Sequence, residues 1–290
     1  MKQYPILALG VVAVAFAAIF IRLAEAPPLV TAAYRLGIAA VLLAPVVFWR
    51  ARPELRRLTR RDFLLAVASG AFLALHFGLW ITSLDYTTVA SSVVLVTATP
   101  IFVAVASYLL FRERITARIV LGIGVSIAGA VVIGYANWQA GGQSLLGSVL
   151  SLGGAVAVAG YLLIGRGLRK RMGLLVYIFL SYTSAAVFLL AVVSVTGQPM
   201  GGYPSDTYVL FLLLALGPQL LGHSSLNWAL KYMPATMVTI AVLGEPVGAT
   251  ILAALILGEV PTLLEVVGGV LILGGILTAF SKGTVPQSTP

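Results

Sequence analysis

Ten apolar runs, separated by short polar loops, dominate this chain and limit what it can fold into. They cover 4–21, 29–49, 63–83, 87–111, 119–135, 146–165, 174–196, 207–229, 235–257 and 264–281. Each approaches the roughly 20 residues that a helix needs to cross about 30 Å of hydrocarbon. Lipid offers backbone N–H and C=O groups no partners, so a spanning segment must satisfy its own, as a helix does. The runs are too long and too evenly apolar for the alternating strands of a membrane barrel. Composition agrees: 60% of the 290 residues are hydrophobic and only 9% charged, against roughly 45–50% and 25% in soluble domains. The expected class is therefore all-α, a polytopic membrane protein with ten transmembrane helices.

The charges orient the bundle. Sixteen of the eighteen Lys and Arg residues fall at the termini or in the loops 50–62, 112–118, 166–173 and 230–234. With ten spans, all of these lie on one side. The opposite loops carry Arg22, Glu25, Asp85, Asp206 and Glu259. The positive-inside rule then places both termini in the cytoplasm. The net charge of +9 is thus a topology signal for loops beside anionic headgroups, and no nucleic-acid partner is expected. Lys2, the first run and Ala24-Glu25-Ala26 superficially resemble a signal peptide. The run is longer than an ordinary signal core, and Pro27 would follow the cut, so a retained helix is expected.

The chain also matches itself at an offset of 146. Tyr86, Pro100, Glu113, Thr116, Gly122 and Gly129 fall on Tyr232, Pro246, Glu259, Thr262, Gly268 and Gly275. Leu29-Val30 falls on Leu175-Val176, and at an offset of 144 Ala13-Val14-Ala15 falls on Ala157-Val158-Ala159 and Arg22 on Arg166. Each unit is then expected to hold five helices, 1–140 and 141–281, followed by a disordered tail, 282–290. Five is odd, so the second unit enters the membrane from the opposite side. Inverted repeats of this kind build secondary transporters whose substrate site lies near the midplane.

These residues resemble the drug/metabolite transporter superfamily in its EamA-domain branch. The resemblance rests on tandem five-helix units, each with a mid-helix proline and an apolar-x-Glu turn closing its fourth helix: Pro100 with Phe111-Arg112-Glu113, and Pro246 with Leu257-Gly258-Glu259. Glycine-rich fifth helices and Arg35 in Ala33-Tyr34-Arg35 match too, although Ser181 stands at the related position in the second unit. The resemblance covers nearly the whole chain. It implies a bacterial inner-membrane exporter of small metabolites. Length, aromatic content and His content are similar to those of the YddG-type exporters of aromatic amino acids.

Polar residues inside the runs are the candidate substrate contacts, because a charged group at the bilayer centre costs about 2.5–3.5 kcal/mol on insertion scales. Glu245, beside Pro246, reads as a proton or substrate-amine site, or as a carboxyl bonded to backbone freed by the proline. Thr99 is its counterpart. His76 and Trp80 share a helix face, as do Gln219, His223 and Asn227, with Trp228 beside them. Those stripes, with Tyr161, are expected to line one cavity between spans 3, 4, 6, 8 and 9, or else to bond neighbouring helices. Pro100 and Pro246 are the expected hinges. Arg35 is expected to snorkel outward, to pair with an acid such as Glu25 or Asp85, or instead to attract a substrate carboxylate.

The chain has no cysteine and only two histidines, and no G-x-x-x-x-G-K-[ST], H-E-x-x-H or G-x-S-x-G motif. No metal, cofactor, ATP-driven or enzymatic activity is therefore expected. The leading expectation is export of neutral, above all aromatic, amino acids by alternating access, with the lipid bilayer and the small substrate as the partners. A monomer suffices for this architecture. A lipid-linked sugar flippase and a lipophilic-cation exporter are the alternatives of the same superfamily. An intramembrane enzyme or receptor is the alternative of another class.

Overall fold

The computed structural model describes residues 3–111 and 116–280, and these residues form an all-helical bundle without strands. Among the described residues, nine helical spans are long and apolar enough to cross a membrane: α1 (Tyr4–Leu23), α2 (Pro28–Arg50), α3 (Arg60–Ser83), α4 (Val89–Ala106), α5 (Ala117–Gln139), α6 (Ser144–Arg169), α7 (Leu174–Thr196), α8 (Ser205–Ala229) and α9 (Ala235–Leu257). A tenth, α10 (Leu263–Phe280), is shorter and equally apolar. Glu113, the 112–114 part of one basic loop and the tail expectation for 282–290 lie outside the described residues.

Local signals set the helix ends. Pro28 opens α2, where its missing N–H costs nothing. Thr59 and Thr88 cap α3 and α4 by accepting from Asp62 N and Ser91 N. Gly197 closes α7 in the left-handed region at φ 67°. The link between α5 and α6 turns at Gly141 and Gly142, both at positive φ.

α1 is interrupted at Phe16, and three further spans are irregular. α4 combines two helices, Val89–Val96 and Thr99–Phe111, the second of which runs on past Ala106, and α9 breaks likewise between Ala235–Ala241 and Gly244–Leu252. Each break falls a few residues before a proline, Pro100 or Pro246, whose ring cannot follow a preceding helical turn and supplies no N–H. The sequence suggests kinks at these points; the structure has turns that separate half-helices. The freed carbonyls find local donors, with Thr97 Oγ1 donating to Val94 O and Thr99 Oγ1 to Val96 O. In α8 the middle stretch Ala215–His223 is a π-helix that contains Pro218. A proline that removes an i→i−4 bond favours such widened turns.

Packing is tightest where side chains vanish. α5 lies along α10, α3 along α6, and α7 against α2 and α3, while α1 runs beside the π-helical part of α8. At the α5–α10 seam a methyl group on Gly129 would sit 2.6 Å from Gly268 O, and one on Gly275 would sit 2.6 Å from Gly122 O. Between these pairs Ser126 Oγ donates to Ile272 O at 3.1 Å. Without a hydrophobic drive between helices in lipid, such backbone approach is what holds two helices together.

Candidate functional site

Where α4 and α9 break, the bundle holds a narrow cavity. Seven spans reach it. α1 contributes Val14 and Ala17, α2 Arg35, α3 His76 and Trp80, α4 Val96, Thr97 and Thr99, and α6 Val158 and Leu162. His223 and Leu226 come from α8, and Thr239, Val242 and Glu245 from α9.

Of the residues singled out in the sequence, His76, Trp80, Thr99, His223 and Glu245 meet here. His76 Nδ1 donates to Gly154 O (2.9 Å), which fixes its tautomer and leaves Nε2 as an acceptor in the neutral ring. Its ring lies nearly parallel to Trp80 (centroids 6.0 Å apart, 4° between planes) and 6.3 Å from His223. Trp80 Nε1 is buried without a hydrogen-bond partner among the described residues. Glu245 sits in the first turn of the second half of α9, and among the described residues its carboxylate has no hydrogen bond or ion pair.

Gln219, Asn227, Tyr161 and Trp228 do not line the cavity. Asn227 Nδ2 donates to Tyr161 OH (2.5 Å) and Tyr182 OH (3.4 Å), tying α8 to α6 and α7 behind the cavity. Trp228 packs on Tyr232 near the end of its helix. The stripe Gln219, His223, Asn227 assumes regular α-helical turns. Between Gln219 and His223 the turns are π-helical, so a four-residue step no longer returns to one face.

Arg35 departs from the first two of its sequence expectations. It neither snorkels nor pairs with Glu25 or Asp85, because it is fully buried. Its Nε donates to Gln219 Oε1 (2.8 Å), and its guanidinium carbon lies 4.1 Å from the centroid of the Phe77 ring. Among the described residues both Nη atoms lack hydrogen-bond partners, while the residue lines the cavity. The repeat contains a signal that points to it. Val14/Val158 and Val96/Val242 are repeat-related pairs that both line the cavity, so the site is built on repeat-related positions. Functional chemistry then stands out where mates differ: Trp80/Leu226, Thr99/Glu245 and Arg35/Ser181.

Acids of the second unit gather at the end of the bundle where α4 begins. Glu259 pairs with Arg22 (2.8 Å) and accepts from Val89 N (2.9 Å). Glu265 accepts from Thr88 and Ser91, and from Thr262 N at 2.7 Å. Asp85 of the first unit lies near Arg22; burial raises its carboxyl above the ordinary value, and Arg22 partly offsets this.

The EamA-like transporter family model matches residues 1–135 and again 145–281. The chain belongs to this family. It is a multi-pass membrane protein of a transporter family. It is 27% identical to Uncharacterized transporter YdfC of Bacillus subtilis (strain 168), over 95% of this chain and 89% of that one. It is also 27% identical to an uncharacterized transporter of Archaeoglobus fulgidus, over 97% and 100% of the two chains. A solved crystal structure superposes over 96% of both chains with a TM-score of 0.70 at 18% identity, a likeness of fold alone. Membership agrees with transport rather than an enzymatic role.

Pro100 and Pro246 sit just beyond the two breaks, within the stretches that carry Thr99 and Glu245 into the cavity. Replacing Pro100 with alanine restores an N–H and favours a continuous α4. The expected result is a transport rate reduced by about fivefold or more, with half-saturating substrate concentration changed less than twofold. Initial rates over a range of substrate concentrations check this, and a wild-type rate rules out a hinge at Pro100.

Proposed function

We propose that this chain is a secondary transporter of the plasma membrane, both termini cytoplasmic, that exports neutral amino acids, aromatic ones first, through the central cavity. The observation that carries the reading is the chemistry of that cavity. It pairs an aromatic group, Trp80 with His76 and His223, with one acid and one base. An aromatic side chain stacks favourably against such rings. Phosphorylated substrates want several cations around the phosphate, and among the described residues Arg35 is the single Lys or Arg lining this cavity.

Two inverted five-helix units, 1–140 and 141–281, supply the moving parts. Supporting this is the reciprocal seam: Gly122 faces Gly275, the mate of Gly129, while Gly129 faces Gly268, the mate of Gly122. Ser126 meets its own mate, Ile272. Reciprocity of this kind follows from a two-fold axis between the units. The two contacts run in opposite chain directions, so α5 and α10 are antiparallel, which supports inverted units and suits alternating access.

The test is uptake by proteoliposomes of labelled phenylalanine, tryptophan, methionine and threonine, with and without a pH gradient. Saturable uptake is expected, with phenylalanine and tryptophan preferred. Trp80→Ala should reduce uptake of phenylalanine at least tenfold and that of threonine less, since only the former loses a stacking partner. Well-folded protein that moves none of the four overturns the amino-acid reading.

A further inference from the structure

The cavity holds two groups of opposite charge that form no ion pair with each other among the described residues. Arg35, from α2, is fully buried, with one guanidinium nitrogen engaged by Gln219 and the other two unpartnered among the described residues. Glu245, from α9, faces the same space with its carboxylate unbonded. The described residues hold two ion pairs, Arg22–Glu259 and Arg171–Asp62, and neither involves this pair. Arg35 and Glu245 are nonetheless within electrostatic reach of each other. A buried charge without a partner is costly, and a ligand that brings the complement relieves that cost.

The details fit a ligand with two ends. A guanidinium offers a planar fork that matches a carboxylate with two parallel N–H···O bonds. Gln219 Oε1 takes Nε, and Phe77 covers the guanidinium face at 4.1 Å, so the side chain is held with Nη1 and Nη2 free. Trp80 Nε1, also buried without a partner, adds a donor in the same cavity. Glu245, an acceptor when ionised, stands on a different helix. The related positions in the other unit carry Ser181 and Thr99, so each charge occurs once and the site has a direction.

We propose that Arg35 and Glu245 form a two-ended clamp for a zwitterion, the guanidinium holding the carboxylate and Glu245 the ammonium of an α-amino acid. The clamp rests on the amino-acid reading above and adds to it the two groups that select the substrate's charges. The substrate's side chain is then left to the aromatic group around Trp80. Simple amines satisfy Glu245 and leave Arg35 bare. Simple acids do the reverse.

Equilibrium binding of labelled L-phenylalanine, phenethylamine and 3-phenylpropionate to the detergent-purified full chain tests this. Wild type is expected to bind phenylalanine at least tenfold more tightly than either analogue. Arg35→Gln should weaken phenylalanine at least tenfold while changing phenethylamine less than threefold. Glu245→Gln should weaken phenylalanine and phenethylamine while sparing 3-phenylpropionate. A structural role alone would weaken all three together. Because Arg35 is a core residue, Arg35→Lys is included; it keeps the charge, loses the fork, and should fall between. The wild-type panel needs no variant: if phenethylamine or 3-phenylpropionate binds as tightly as phenylalanine, the clamp is wrong while the amino-acid reading stands. If tetraphenylphosphonium binds and no amino acid does, that reading fails, and the clamp with it.

Discussion

Gly129→Leu is expected to abolish a folded, monodisperse protein in detergent, or to lower its melting temperature by about ten degrees or more. A Cβ at this position would lie 2.6 Å from Gly268 O and 2.9 Å from Ile272 N. Those atoms belong to helix backbone and cannot swing aside, so α5 and α10 must separate. Overpacking typically costs about 1–3 kcal/mol, and here the separation also breaks the reciprocal approach at Gly122 and Gly275 and the Ser126–Ile272 bond. Lipid gives no compensating hydrophobic gain, because tails are as apolar as leucine. Gly124→Leu is the matched control. It lies on the same helix, yet a Cβ there meets nothing within 4 Å. It should leave the melting temperature unchanged or slightly raised, since leucine is the better helix former. Equal melting curves for the two variants would show that the seam does not depend on glycine.

That seam illustrates what the sequence makes visible. Gly122, Gly129, Gly268 and Gly275 are all legible as repeat mates, and small residues in apolar helices announce close packing. Which glycine meets which is not legible, because contact depends on how the units are placed. The span boundaries are likewise visible, since helix is the one state open to apolar runs in lipid. The cavity is visible only in part. His76 and Trp80 follow regular helical spacing and are identifiable as a face. Gln219 and Asn227 follow the same spacing and are not on it, because Pro218 sits in a π-helical stretch and the phase slips. Arg35 is the most instructive case. A lone arginine in an apolar run suggests escape to the surface, pairing with a nearby acid, or a hold on a substrate carboxylate. Its partner Gln219 lies 184 residues away in the chain, and no local pattern names it. The difference between mates, Arg35 against Ser181, is the feature that points to function.

Glu259→Gln is expected to open the cavity at the end where α4 begins, raising access from that side by roughly thirtyfold. Every residue from Val89 to Val96 is buried, whereas the related stretch Ala235–Ala241 has three buried residues, Ala235, Val238 and Thr239. The first half of α4 is thus locked and its counterpart loose. Glu259 supplies the lock, binding Arg22 and the first N–H of the α4 helix at once. The ion pair alone would be worth little, since both side chains are about a quarter to a third exposed. A carboxylate accepting a backbone N–H at a helix start adds a charge-assisted bond. Together these amount to about 2 kcal/mol, near thirtyfold in a conformer ratio. Glutamine keeps the shape and one acceptor but loses the charge that serves both partners. The chain has no cysteine, so a single Thr99→Cys reports access cleanly through its rate of labelling by a membrane-impermeant thiol reagent added to one side at a time. Arg22→Gln should speed labelling from the Glu259 side as well. The double variant should add less than the sum of the two, because both act on one lock. Labelling rates that match the parent from both sides would mean that Glu259 fastens nothing, and that α4 is held by its apolar packing alone.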